Sequence, residues 1–298
     1  MKFGVLGPLS VTDSVTPARR SVYSGNSGDT ANSARTGAHD DLLPSPPKTR
    51  QLLALLLVHA GTQVSLDTCV QELWGDDSPR SAVQSLHTRV FHIRQALANL
   101  PSVGTAHAAK RMLETRHQGY LLQLPDGALD LYALDGHLAE ARRAQAADDD
   151  LRLSAALRSA LGLWRGRTLV DIEPGAHIAA QATRLEGIRM TALEQCLDAE
   201  LRLGLHHQLL SELGHLVSHH PVHENLHAQY MLALYRSGRT AHALEVYRGL
   251  SRHLAEELGI EPSHKLRSLQ TAVLTDSTTL DVTPPENLRL SLDLAAAR

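Results

Sequence analysis

The sequence predicts a mainly α-helical protein, with a small α+β unit in its first part and an all-α region after it. Three observations favour this fold class. The 298-residue chain is rich in Leu and Ala, which favour helices, and only 3% of its residues are aromatic. Short strand-like runs occur only within the first 124 residues. The following residues, up to 275, are predicted to be helical almost throughout and carry a 34-residue repeat.

The composition is typical of a globular protein. Hydrophobic residues make up 43% of the chain and charged residues 20%, unlike a chain that is disordered throughout. The longest apolar run, 52–58, is far shorter than the roughly 20 residues of a membrane helix, and the first residues do not form a secretory signal. Cys69 and Cys196 have neither a disulfide framework nor a zinc spacing. We therefore expect a cytoplasmic protein that has no membrane partner.

The first 47 residues combine a strand-like segment with a long polar stretch. Residues 3–11 predict a short strand or hairpin. In 12–47, 19 of 36 residues are Ser, Thr, Gly, Pro or Asn, and there is no apolar period. Such a stretch buries too little apolar surface to offset the entropy lost on ordering, so we expect a flexible insertion.

Three helices are predicted next. The first, over 48–60, is strongly apolar and ends at a glycine that suits a helix C-terminus. Ser65 is the expected N-cap of the second helix, which ends at Gly75. The third helix runs over 79–99, and its apolar residues, spaced 4, 4, 3 and 4 apart, form one stripe: Ala82, Leu86, Val90, Ile93 and Leu97.

A β-hairpin is predicted to follow these helices. A loop over 100–109 leads to two strand-like runs, 111–116 and 120–124, and Gly119 in the turn between them is expected at positive φ. A helix, a short turn and a long amphipathic helix followed by such a hairpin form a winged helix-turn-helix. We assign this unit to residues 1–124.

The region 125–275 repeats with the period of tetratricopeptide helix pairs. Gly204 matches Gly238 in this register, together with five further pairs of residues. We therefore predict an all-α tetratricopeptide-like array, in which stacked helix pairs bury their apolar faces against each other. The tail over 276–298 is polar at first, and we expect it to be flexible.

Charge is distributed unequally along the chain. Residues 45–124 hold eight Lys or Arg and five Asp or Glu, so they carry a positive excess. Residues 125–276 hold 15 Lys or Arg and 20 Asp or Glu, so they carry a negative excess. This asymmetry suits one part that contacts nucleic acid and another that contacts protein. A small positive excess is also common in domains that bind nothing charged, so charge alone leaves both interpretations open.

Several segments together resemble the Streptomyces antibiotic regulatory protein (SARP) family. They are FGVLGPL, KTRQLLALLLVHAG, VSLDTCVQELWGD, SLHTRVFHIRQAL, GYLLQLP and, much later, LYRSGRTAHALEVYRGLSRHLAEELGIEPS. The resemblance covers 1–11 and 48–275. It implies an OmpR-type winged helix joined to a helical bacterial transcriptional activation domain. The insertion over 12–47 replaces the short hairpin link of the family, so we expect an irregular first sheet.

The resemblance implies a transcriptional activator, specific for a secondary-metabolite (antibiotic) gene cluster, and not an enzyme. Its partners would be double-stranded DNA carrying direct repeats, bound by a dimer or by tandem copies, and RNA polymerase holoenzyme including its sigma factor. No cofactor and no metal are expected. The sequence has no GxxxxGK[ST] motif, which indicates a small, single-unit member without an ATPase module.

The face of helix 79–99 opposite the apolar stripe is the predicted DNA-reading surface, because the major groove admits one helix. We expect four of its side chains to face bases: His87, Thr88, Phe91 and His92. The two histidines depart from the family pattern, so the family does not predict which DNA sequence this helix reads. Six further residues are expected to contact phosphates or to act in the wing: Lys48, Arg50, Arg89, Arg94, Arg116 and His117.

Other roles stay open for several of these residues. Phe91 could pack inside the protein, Arg94 could form an internal salt bridge, and Lys48 and Arg50 could simply be solvated. Trp74 is expected to be a core anchor and not a base-stacking residue.

Two other functions also stay open. The chain could be a tetratricopeptide-type scaffold or adaptor whose winged helix binds no DNA. A histidine cluster has i,i+4 spacings that suit a metal, but Pro221 interrupts its helix and favours solvated side chains: His215, His219, His220, His223 and His227. No paired-carboxylate or Ser-His-Asp pattern predicts catalysis.

Overall fold

The computed structural model describes residues 1–13 and 42–281. The chain divides into two compact units: the first holds 1–138 and 159–189, and the second holds 139–158 and the residues from 190 onward. The predicted mainly α fold class is confirmed. Most of the predicted 12–47 insertion, and residues 282–298 of the predicted tail, lie outside the described residues. The predicted domain boundaries stay predictions.

The winged helix-turn-helix lies in the first unit. Strand β5 pairs with both β3 and β4 in an antiparallel three-stranded sheet, and β1 pairs with β2 in a separate two-stranded sheet. The elements are β1 Lys2–Gly4, β2 Ser10–Thr12, α1 Pro47–Val58, β3 Gln63–Ser65, α2 Leu66–Trp74, α3 Ala82–Ala98, α4 Ala106–Met112, β4 Leu113–Arg116 and β5 Gly119–Leu122.

Helix α4 corrects the prediction of a loop over 100–109. The side chain of Thr105 caps this helix by accepting a hydrogen bond from the backbone N of Ala108 at 3.1 Å. Alanines at three of the helical positions favour the conformation, and the strand after it begins at Leu113 instead of 111. This helix, which the sequence did not predict, places Lys110 and Arg111 just before the hairpin of β4 and β5.

The core of the first unit explains the strongly apolar first helix. All residues of α1 from Gln51 to Leu57 are buried. The five stripe residues of α3 are buried too, as predicted. The same hydrophobic cluster includes Leu169, Ile172 and Ile178, so the segment 159–189 completes the core beneath the helix-turn-helix.

A buried carboxylate on α2 caps the start of α7 Ala176–Arg202, a helix whose residues up to 189 belong to this unit. Glu72 is 2% exposed, and its oxygens accept hydrogen bonds from the backbone N of Gly175 (2.6 Å), His177 (2.8 Å) and Ile178 (3.1 Å). The Nε2 of Gln51 donates a fourth bond at 3.2 Å. A negative charge at a helix N-terminus is favourable and satisfies donors that lack partners within the helix. The carboxylate therefore fixes α2 to the start of α7.

We expect Glu72→Ala to lower the free energy of unfolding by about 2–3 kcal/mol, because it removes a helix cap and leaves buried N–H groups unpaired. Urea denaturation of the full chain measures this change. Glu173→Ala, which removes an exposed carboxylate from the loop before α7, is the matched control and should change stability by less than about 0.5 kcal/mol. Equal losses in the two variants would contradict the capping role.

The second part of the chain is a helical array, as predicted. Gly204 and Gly238, one repeat period apart, adopt φ of 78° and 73° two residues after α7 and α9 end. The same left-handed turn therefore recurs at the predicted spacing. The other helices are α5 Asp130–Ala146, α6 Asp150–Leu161, α8 His206–His219, α9 Glu224–Arg236, α10 Thr240–His253 and α11 His264–Leu274, with a π-helical turn at Leu254–Leu258 and a 3-10 turn at Thr278–Leu280.

A charged network stabilises the second unit. Arg158 donates to both oxygens of Glu200 (2.8 and 2.6 Å) and to both oxygens of Glu212 (2.8 and 2.7 Å). Ser154 also donates to Glu200, at 2.9 Å. Burial would raise the pKa of the Glu200 carboxyl, but the hydrogen bonds from Arg158 and Ser154 outweigh burial and hold this pKa below its usual range.

We expect Arg158→Ala to lower the free energy of unfolding at pH 7 by about 2–3 kcal/mol, because it leaves the buried Glu200 without its cation. Since the pKa of Glu200 is lower in the folded than in the unfolded chain, its stabilisation is present above the unfolded value. It is lost as the pH falls through the folded value. Denaturation curves across the acidic range should therefore converge for the wild type and the variant.

The control for this prediction is Arg202→Ala. Arg202 pairs with Asp150 at 2.6 Å, but its side chain is 54% exposed, so we expect a loss of no more than about 1 kcal/mol. A loss as large as that of Arg158→Ala would show that burial of the partner carboxylate is not the reason for the difference.

Candidate nucleic-acid interface

Helix α3 presents one face to the core and the opposite face to solvent. The predicted base-facing residues His87, Thr88, Phe91 and His92 are all exposed. Phe91 is 61% exposed, so it does not pack inside the chain as the alternative interpretation required. The Thr88 hydroxyl donates to the carbonyl of Gln84 at 3.2 Å, so the methyl group of this exposed residue is its candidate apolar contact.

On the α2 side of this face, Arg89 is engaged within the protein. Its guanidinium lies 5.2 Å from the ring centroid of Trp74, and it donates to the carbonyl of Ser85 at 3.0 Å. Trp74 is partly buried against the core of the first unit. The Ser65 hydroxyl accepts from the backbone N of Thr68 at 3.0 Å and caps α2, as predicted. The Ser65 cap therefore fixes the start of α2, and the cation–π contact joins its last residue, Trp74, to α3.

On the opposite flank of α3, Arg94 holds the wing. Its Nε and one terminal nitrogen donate to the carbonyl of Leu113 at 2.9 and 2.7 Å, and the same terminal nitrogen donates to Thr115 Oγ1 at 2.9 Å. Its partners here are polar groups of β4 and not the carboxylate of an internal salt bridge. Its predicted phosphate contact stays a prediction.

The hairpin β4–β5 forms the wing. The left-handed turn residue is Gln118, with φ 58°, and not Gly119 as predicted. Gly119 is needed because a Cβ there would lie 2.3 Å from the carbonyl oxygen of Val64 on the adjacent strand. Arg116 and His117 are exposed at the turn, and Arg116 pairs with Glu114 at 2.6 Å.

The two candidates at the start of α1 have partners of their own. Arg50 pairs with Asp171, whose other oxygen accepts from the backbone N of Leu9 at 2.7 Å. Lys48 Nζ donates to Gln51 Oε1 at 3.2 Å. The Arg50–Asp171 pair attaches α1 to the segment before α7, whereas the Lys48 contact stays within α1. The predicted phosphate contacts of both residues stay predictions.

Sequence reasoning left out three residues on α4. His107, Lys110 and Arg111 are exposed on one face of this helix at i, i+3 and i+4. The signal was present in the sequence as a basic pair just before a strand, but a segment predicted to be a loop gives such side chains no common face.

The described residues also bear on two other functions, membrane insertion and metal binding. None of the helices in 1–13 and 42–281 is long and apolar enough to cross a membrane. Within the same ranges, no three His, Cys, Asp or Glu side chains are grouped so that they could hold a metal ion.

Comparison with known proteins identifies the family of this chain. Residues 129–274 match the bacterial transcriptional activator domain. The regulatory protein DnrI of Streptomyces peucetius is 41% identical over 245 residues, which are 82% of this chain and 89% of DnrI. The chain belongs to the SARP family of transcriptional regulators.

Two further SARP relatives are longer than this chain. The regulatory protein AfsR of Streptomyces coelicolor is 34% identical over 275 residues, which are 92% of this chain but 24% of AfsR. The solved structure of Mycobacterium tuberculosis EmbR, in complex with a low-affinity phosphopeptide, is 30% identical with a TM-score of 0.76. It covers 92% of this chain, which in turn spans 65% of EmbR.

We expect Arg94→Ala to accelerate amide hydrogen exchange in β4 about tenfold, because losing these hydrogen bonds removes about 1.4 kcal/mol of local stabilisation. Arg94→Lys should restore part of the protection, since one ammonium cannot reproduce the fork of the guanidinium. Exchange in α10 serves as the internal control and should not change. Unaltered exchange in β4 would contradict the wing-holding role.

Proposed function

We propose that this SARP protein is a sequence-specific DNA-binding transcriptional activator of a secondary-metabolite gene cluster. It would bind direct repeats upstream of promoters, as a dimer or as tandem copies, and recruit RNA polymerase holoenzyme through contacts that include the sigma factor. Bacterial promoters lie in the cytoplasm, so the protein would act there. The family membership supports regulation of transcription, and the geometry of α3 supports the DNA-binding step.

The observation that carries the proposal is the exposed face of α3. Its apolar stripe is buried, while His87, Thr88, Phe91 and His92 are exposed on the opposite side. Imidazole groups can donate hydrogen bonds to purine N7, and Phe91 with the Thr88 methyl suits the methyl group of thymine. Base contacts of this kind select sequence, and phosphate contacts elsewhere set the register.

Selection of duplexes from a random-sequence library tests the proposal, because the protein itself then selects the sequence that it binds. The full chain should enrich duplexes that contain two copies of one short motif in the same orientation. Binding of the selected duplex should weaken steeply as salt increases, because phosphate contacts release counterions. Absence of binding at low salt would instead favour the scaffold or adaptor function.

We expect His92→Ala and Phe91→Ala to reduce the preference for the selected duplex over a random one by about tenfold each, since a lost base contact costs about 1–3 kcal/mol. Fluorescence anisotropy with both duplexes measures the two dissociation constants. Arg142→Ala, which removes an exposed charge from α5, is the control. A parallel loss of affinity for both duplexes, with their ratio unchanged, would argue against a base-reading role.

A further inference from the structure

Helix α4 carries a cationic face whose orientation is fixed by its packing. Ala109 is fully buried in the core of the first unit, while His107, Lys110 and Arg111 are exposed. The Thr105 cap fixes the start of the helix, and its last residue is followed directly by β4. The three side chains therefore share one solvent-facing surface, which we call the α4 patch.

The α4 patch has an excess of positive charge. A depression of about 320 Å³ is lined by His107, Lys110, Arg111, Glu114 and Thr115. The acid among them, Glu114, is paired with Arg116 at 2.6 Å. Among the described residues, no side-chain hydrogen bond or ion pair engages Lys110 or Arg111. Both cations are therefore available to an anion from outside the chain.

The α4 patch is continuous with the proposed DNA interface. Thr115 lines the depression, and its hydroxyl accepts a hydrogen bond from Arg94, a residue of α3. The same guanidinium binds the carbonyl of Leu113, where α4 passes into the wing. One side chain thus joins the reading helix, the wing strand and the margin of the patch.

We propose that Lys110 and Arg111 bind phosphates of the DNA backbone beside the segment that α3 reads. The inference rests on the proposed function, because it assigns a second contact to the same bound duplex. Charge complementarity and continuity with the interface favour a phosphodiester backbone as the occupant. Long, exposed cationic side chains without internal partners suit phosphate contacts that carry no sequence information.

The test uses the full chain with Lys110→Ala, with Arg111→Ala and with both. Dissociation constants are measured against salt for the selected duplex and for a random duplex of the same length. Each single variant should lower the slope of log affinity against log salt by about 1, and the double variant by about 2. The ratio of the two dissociation constants should stay unchanged, because phosphate contacts do not distinguish sequences.

Arg248→Ala is the matched control, since it removes one exposed charge from α10. Its salt slope should equal that of the wild type. Thermal unfolding of each variant should match the wild type, and Lys110→Gln with Arg111→Gln should reproduce the alanine result while keeping side-chain length.

Three outcomes would overturn the inference. If the double variant keeps the wild-type affinity and slope, the α4 patch does not touch DNA, while the proposed function stands. If the variants change the ratio of the two dissociation constants and leave the slope unaltered, these residues do not act on phosphates. If the wild-type chain binds neither duplex at low salt, the proposed function and this inference both fail.

Discussion

The hydrogen bonds between the Glu72 carboxylate and the start of α7 are the constraint on which the first unit depends. A carboxylate that is 2% exposed and accepts four hydrogen bonds cannot leave its position without unpairing several polar groups. Gly175 permits this contact, because a Cβ there would lie 2.3 Å from the Glu72 carbonyl oxygen. The orientation of α2, and of the turn that leads to α3, is thus set by residues about a hundred positions later in the chain.

This constraint also explains why the first compact unit and the matched activator domain share residues. The match to the activator domain begins at residue 129, yet the first unit continues to 138 and includes 159–189. The later segment supplies Leu169, Ile172 and Ile178 to the core beneath the helix-turn-helix. Asp171 contributes in the same way, since it binds Arg50 and the backbone of Leu9. A winged helix without this segment would expose part of its core and leave Glu72 without three of its donors.

The spacing of residues along the sequence predicted those structural features that depend on residues close in sequence. The stripe of α3, the Ser65 cap and the recurring glycine turns follow from spacings within one or two turns or within one repeat, and the structure has them. Contacts between distant segments, such as that of Glu72 with α7, leave no periodic signal in a single sequence. The α4 helix was missed because a short helix capped by Thr105 has too few turns to establish a period. The error then concealed the common face of Lys110 and Arg111.

Under the proposed function, the exposed face of α3 would separate two requirements of DNA recognition. Both arginines of this helix are half-buried and engaged with the protein, Arg89 with Trp74 and Arg94 with β4. The exposed side chains of α3 therefore include no Lys or Arg. Phosphate contacts supply much of the affinity of DNA-binding proteins, and base contacts supply the discrimination. In this chain the phosphate contacts would fall to cations beside α3, and the base contacts to the exposed side chains of α3 itself. Substitutions on α3 could then change the preferred sequence while the salt-dependent part of the affinity stays the same.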